Sequence, residues 1–135
     1  MIFLDTNTVS YAMRSRVASV ETALLRAHEA GDVCISAIVY SELKFGLAMA
    51  NHPVQHERIA TEISRVMTLL TVVDWDGAAA DALAIMRAQL RRSGTVIGAY
   101  DLAIAAHALS RDAVLVTNNE RELRRIPGLK IENWT

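Results

Sequence analysis

Four short apolar runs recur along the chain: Ile2-Phe3-Leu4, Val33-Cys34-Ile35, Thr71-Val72-Val73 and residues 113–117. Each is too short for a helix and nearly unbroken by polar residues, the pattern of a strand buried on both faces. The stretches between them carry helical spacing and helix punctuation. Asp5-Thr6-Asn7 supplies cap chemistry for a helix through about Arg14. Val17, Val20, Leu24 and Ala27 form one stripe of a helix over 17–30, closed by Gly31-Asp32. Ser36 caps a helix to about residue 50, and Pro53 opens another to about residue 70. Asp76 caps a helix over 77–92 that Ser93-Gly94 ends, and a further helix covers 98–111. A helical turn within 118–125 stops at Pro127-Gly128, and Lys130-Ile131-Glu132 reads as a last edge strand.

Strands that alternate with helices, and are themselves continuously apolar, predict an α/β fold. The expected architecture is three layers, α/β/α, around a mostly parallel sheet of four to five strands. No repeat, low-complexity tract or linker divides residues 1–135, so one domain is expected, and 52% apolar residues suffice for its core. Cys34 is the only cysteine, which excludes a disulfide framework and leaves it the role of a small core residue. The opening apolar run meets Asp5 too soon for a signal peptide. No stretch approaches the ~18 apolar residues of a membrane span. A cytoplasmic protein without membrane association is expected.

In parallel sheets of this kind, ligands gather at the carboxyl ends of the strands. The chain places its acids there. Asp5 directly follows the first strand, although taken alone it is a helix cap. Glu42 is less easily structural. At about 100° per residue, Ile38, Val39, Phe45, Gly46 and Met49 surround it on one helix face. A carboxylate inside an apolar stripe requires a partner or a cation. Asp101 opens an apolar helix whose Ala105 and Ala108 share its face; its structural role would be to complement the helix dipole. After the fourth strand comes Thr117-Asn118-Asn119-Glu120-Arg121-Glu122, where Thr and Asn serve as turn formers or as supports for a carboxylate. On so short a turn, Glu120 and Glu122 do not both face one site. Converging acids repel unless a cation joins them, and carboxylates with few nitrogens suit magnesium or manganese. The histidines add no rival centre. His52 and His56 lack a third ligand at matching spacing, and His107 reads as a hydrogen-bonded core residue. Trp75 and Trp134 read as packing anchors.

Charge sharpens this picture. The formal net charge is −1, from 14 basic and 15 acidic residues, which excludes a basic tail or a highly cationic nucleic-acid module. The near-neutrality conceals a division: residues 1–81 carry 6 basic and 10 acidic residues (−4), and residues 82–135 carry 8 and 5 (+3). Arg87, Arg91, Arg92, Arg121, Arg124 and Arg125 are therefore candidate phosphate contacts, with Arg14 and Lys44 nearer the acids.

The segments Phe3-Leu4-Asp5-Thr6-Asn7, Ser41-Glu42-Leu43, the run from Gly94 through Asp101 to Ala106, Leu115-Val116-Thr117-Asn118-Asn119 and Arg121-Glu122-Leu123 together resemble the PIN-domain ribonucleases. Within that family they resemble the VapC toxins of toxin–antitoxin pairs. The resemblance runs the length of the chain, in order. It implies a PIN-like fold and a magnesium- or manganese-dependent endoribonuclease. By resemblance Asp5, Glu42 and Asp101 are the metal-site acids, with Thr6, Asn7, Thr117, Asn118 and Asn119 as supporting polar residues. Many relatives carry a further Asp where this chain has Asn119. Glu122, or Glu120, is then the candidate for the fourth catalytic acid. Attack by water on a scissile phosphate implies 5′-phosphate and 3′-hydroxyl products. The implied partners are a structured RNA, with tRNA leading, a cognate antitoxin protein, and a second copy in a homodimer.

Three other readings compete. An Asp-nucleophile phosphotransferase would use Asp5, but Asn7 stands where its second Asp is needed. A receiver-like signalling module would be phosphorylated at Asp74 or Asp76 with Lys130 as its lysine. A non-catalytic RNA-binding domain would leave the acids without a role.

Overall fold

A computed structural model describes residues Met1–Thr135 and places β1 (Ile2–Leu4) in the middle of a five-stranded sheet. The order is β3 (Thr71–Val73), β2 (Val33–Ser36), β1, β4 (Val114–Val116), β5 (Lys130–Glu132), and every neighbouring pair is parallel. Phe3 pairs with Cys34 on one side and with Leu115 on the other. Successive residues of a strand face opposite sides of its sheet. Phe3 and Leu4 both have 0% exposure, so both faces are covered, as the unbroken apolar runs predict. The edge strand β5 is the one that carries exposed Lys130 and Glu132.

The helices are α1 (Thr6–Met13), α2 (Ala18–Glu29), α3 (Ala37–Ala48), α4 (Pro53–Met67), α5 (Gly77–Arg92), α6 (Ala99–Ser110) and α7 (Glu120–Leu123). Their caps follow the sequence. Asp5, Ser36 and Asp76 accept from Thr8, Ile38 and Ala79 amides. Gly31 and Gly94 take positive φ, 73° and 68°, where a Cβ is unfavourable. One boundary differs from expectation. α4 stops at Met67 because the Thr68 and Leu69 amides turn back to the Arg65 and Val66 carbonyls, which tightens the last turn and delivers buried Leu70 to β3.

α6 is the buried helix expected, with Leu102 and residues 104–108 all inside. It packs along α5 and against β4. α3 differs from expectation. Its buried residues are Val39 and Leu43, whereas Phe45 and Met49 are 66% and 59% exposed. Glu42 is half-buried at the border of that face rather than enclosed in an apolar stripe. α3 is apolar around most of its circumference, and only its packing on β2, α4 and α6 selects the face that goes inside.

His107 is a buried titratable group of this core. It has 0% exposure, lies 4.7 Å from the Phe3 ring, and hydrogen-bonds through Nδ1 with Ser36 Oγ at 2.9 Å. Its Nε2 has no partner. Burial lowers its proton affinity, with the nearby Arg111 charge acting the same way. A His held neutral in the fold supports stability above its unfolded pKa, about 6.5. That support is lost as pH falls, because the unfolded chain then binds a proton the folded one refuses. Unfolding free energy measured by urea titration is therefore expected to fall from pH 7 to pH 5.5, with this group contributing to the slope. His107→Gln is expected to flatten that slope; an unchanged slope would remove His107 as its source.

Candidate active site

β1 and β4 lie side by side at the centre of the sheet, so their carboxyl ends open onto one place. Asp5 leaves β1 there. Its amide donates to the Val116 carbonyl at 3.0 Å, and its Oδ1 accepts from the Thr8 amide at 2.8 Å. The carboxylate is thus a helix cap and, at 6% exposure, also a fixed acid at the strand end. Thr8 is a support the sequence reading missed. It is buried, and its hydroxyl donates to the Val116 carbonyl at 3.3 Å, tying α1 to β4. The available signal was its place three residues after a capping Asp, where a cap's side chain finds its donor.

Three further acids arrive from other elements. Glu42, on α3, accepts a hydrogen bond from the Thr6 hydroxyl of α1. Asp101 is in the first turn of α6 and Glu122 is on α7. Asn119 joins these two: its Nδ2 donates to Glu122 Oε2 at 3.1 Å and to Asp101 Oδ2 at 3.4 Å. Buried Thr117 shapes that turn by accepting from the Asn119 amide at 2.9 Å. Other expected residues go elsewhere. Asn7 is exposed, and Asn118 donates to the Tyr11 hydroxyl at 2.9 Å. Glu120 turns to Arg124 and Asn133, whose hydrogen bonds hold its carboxyl below the usual range, Asn133 contributing most. Of the two glutamates on the turn, only Glu122 is tied to Asp101.

The electrostatics record the convergence. Asp101 has its proton affinity raised, first by burial and then by the charge of Asp5, with Glu122 and Glu42 adding to it and the Asn119 bond partly opposing. As the side chains stand, no group of three or more His, Cys, Asp or Glu is spaced to hold one metal ion. Asn119 links Asp101 with Glu122, while Thr6 holds Glu42 alone. The donor chemistry nevertheless fits a hard divalent cation: several carboxylates, no nitrogen or sulfur ligand, and repulsion that a positive charge would relieve.

The remaining readings fare differently. Asp74 and Asp76 follow β3 and Lys130 is on β5, the opposite edges of the sheet. Asp76 caps α5 and pairs with Arg111 at 2.8 Å, while Lys130 pairs with Asp112 at 3.0 Å. A receiver site needing Lys130 beside those aspartates is therefore not assembled. His52 caps α4, and Trp75 donates to the Ala103 carbonyl at 3.0 Å as a packing anchor. Cys34 is buried, which raises its thiol to about 11 and makes it a poor nucleophile. No helix is long and apolar enough to cross a membrane.

Comparison with known proteins converges on the same architecture. Residues 2–129 match the PIN domain family. A tRNA(fMet)-specific endonuclease VapC from Salmonella typhimurium is 38% identical over 131 residues, covering 97% of this chain and 96% of the relative. The protein of the same description from Shigella flexneri is 36% identical, covering 98% and 96%. The structure of VapBC2 from Rickettsia felis, bound to a promoter DNA fragment, contains a chain that superimposes with a TM-score of 0.90 at 32% identity, covering 100% of both chains.

Proposed function

Since this chain belongs to the PIN-domain family, in its VapC branch of ribonucleases, we propose that it is a magnesium-dependent endoribonuclease toxin that cleaves tRNA and is neutralised by a cognate antitoxin. The observation that carries this reading is the meeting of Asp5, Glu42, Asp101 and Glu122, delivered by four separate elements, around an Asp101 carboxyl whose proton affinity they raise. The relatives described as tRNA(fMet)-specific support tRNA as the substrate. The likeness to a chain of a VapBC complex supports an antitoxin partner. A homodimer belongs to the same proposal.

Asp5, Glu42 and Asp101 are the residues proposed to hold the cation. When bound, magnesium supplies positive charge to polarise a phosphoryl oxygen and to acidify water. The chain's own residues prepare that chemistry. The Thr8 amide fixes one Asp5 oxygen and leaves the other available. Thr6 orients Glu42, and Asn119 sets the separation of Asp101 and Glu122. Holding these dipoles before substrate arrives spares reorganisation during reaction. No side-chain nucleophile is needed, so water attacks the phosphorus, leaving a 5′-phosphate and a 3′-hydroxyl.

The test is incubation of purified, antitoxin-free protein with initiator tRNA, with magnesium and with EDTA. Cleavage is expected with magnesium alone, yielding those two ends. Cyclic 2′,3′-phosphate ends would exclude attack by water. Intact tRNA under magnesium and manganese, from protein shown to be folded, would overturn the nuclease reading and favour a non-catalytic RNA-binding domain.

A further inference from the structure

A cleft of about 780 Å³ is formed by residues other than the acids. It lies between the carboxyl-terminal half of α5 and the 94–98 loop. Arg87, Arg91 and Arg92 line it, over an apolar floor that includes Ile97 and Leu102. No carboxylate lines it, and none of the three arginines takes part in an ion pair. All three are exposed. The helix dipole accounts for Arg91 and Arg92, in the last turn of α5, but not for Arg87, more than a turn from the helix end. The loop that walls the cleft ends at Gly98, where a Cβ would stand 4.0 Å from Asp101 Oδ2. The following residue of α6 after Asp101, Leu102, forms part of the cleft wall. A basic cleft and the acidic site therefore share the start of α6.

We propose that this cleft clamps the phosphates of the RNA strand as it runs on from the bond held at Asp101. Arg87, Arg91 and Arg92 supply planar forks for phosphate oxygens, and the apolar floor, with Val96 at 86% exposure on its rim, receives sugar and base. The proposal rests on RNA being the substrate. It assigns the clamp to charge complementarity: a polyanion is the occupant that three unpaired arginines without a neighbouring acid favour. It also explains how a chain of net charge −1 draws RNA to an acidic centre. The acids and arginines are separate surfaces, and the strand spans both.

The test compares the wild-type protein with a triple variant, Arg87→Gln, Arg91→Gln and Arg92→Gln. Fluorescence anisotropy with labelled initiator tRNA in EDTA, over a series of salt concentrations, reads binding without cleavage. The variant is expected to bind roughly 10- to 100-fold more weakly at about 0.1 M salt, with the slope of log Kd against log salt reduced by about 2–3. Cleavage should show a raised KM with kcat little changed. Lysine at the same three positions should restore most of the slope, which a folding defect would not allow. A charge-matched control, Arg16→Gln, Arg26→Gln and Arg58→Gln, should keep its Kd within about threefold of wild type, as these exposed residues lie outside the cleft. Equal affinity and slope for wild type and the cleft variant, in a protein that still cleaves tRNA, would overturn the clamp and leave the nuclease reading standing. A change of oligomeric mass with unaltered RNA affinity would assign the cleft to a protein interface instead. Wild-type protein that binds no RNA would remove both readings.

Discussion

Asp101→Asn is expected to lower tRNA cleavage by at least about 100-fold, the usual cost of removing one preorganised electrostatic group, while making the cation-free protein more stable at neutral pH. The two effects have one cause. Asp101 stands in a partly buried place beside the charges of Asp5, Glu122 and Glu42, so its proton affinity is raised, by burial first. A carboxyl whose folded pKa exceeds its unfolded value imposes no penalty below the unfolded pKa. The penalty grows as pH rises through the folded pKa. Asparagine has nearly the same shape without the charge, so the substitution removes both the penalty and the carboxylate proposed to hold the cation. Single-turnover cleavage measures the first effect. Thermal melting in EDTA at pH 7 and pH 4 measures the second: the variant should melt higher than wild type at pH 7 and close to it at pH 4. Activity within a few-fold of wild type would remove Asp101 from the site.

Phe3→Ala carries the largest expected effect on stability, a loss of about 3–5 kcal/mol. Phe3 has 0% exposure, belongs to the central strand, and meets the His107 ring at 4.7 Å with an interplanar angle of 50°. Truncation removes apolar burial and that ring contact, and it leaves a cavity where β1, β2 and β4 meet. Domains are stable by about 5–15 kcal/mol in total, so such a protein is expected to be largely unfolded at growth temperature or close to it. Urea denaturation gives the difference directly. Phe45→Ala is the informative contrast, because Phe45 is 66% exposed and the change should stay within about 0.5 kcal/mol. A large loss at Phe45 would mean that another chain covers α3 in solution.

Much of this was written locally. The inner strands β1, β2 and β4 were legible because a strand buried on both faces has no polar alternation, as Phe3 and Leu115 show. β3, read the same way, is an edge strand with Thr71 exposed and Val72 and Val73 half-buried. The caps were legible because Asp5, Ser36 and Asp76 bond within three residues of themselves. Asp5 could be placed at the site because its position at a strand's carboxyl end depends only on its neighbours in sequence. Glu42 was singled out on a mistaken ground. The helical wheel around it is apolar, but the protein exposes Phe45 and Met49. A helix that is apolar nearly all round does not reveal which side packs inward.

What the sequence determined by itself was the set of elements, their ends, and which acids stand at strand or helix ends, since all of these rest on interactions spanning a few residues. The tertiary structure decided which acids meet. The order β3-β2-β1-β4-β5 brings residue 5 beside residues 117–119, and α3 and α6 then carry Glu42 and Asp101 toward the same edge. It also chose Glu122 over Glu120, through an Asn119 side chain that reaches Asp101 across 18 residues of sequence. Hydrophobic patterning specifies what must be buried but is indifferent to which strands are neighbours. Strand order follows from the chain crossing its own sheet and closing one core, and the convergence of four like charges is tolerated only because that core holds their supporting strands and helices in place.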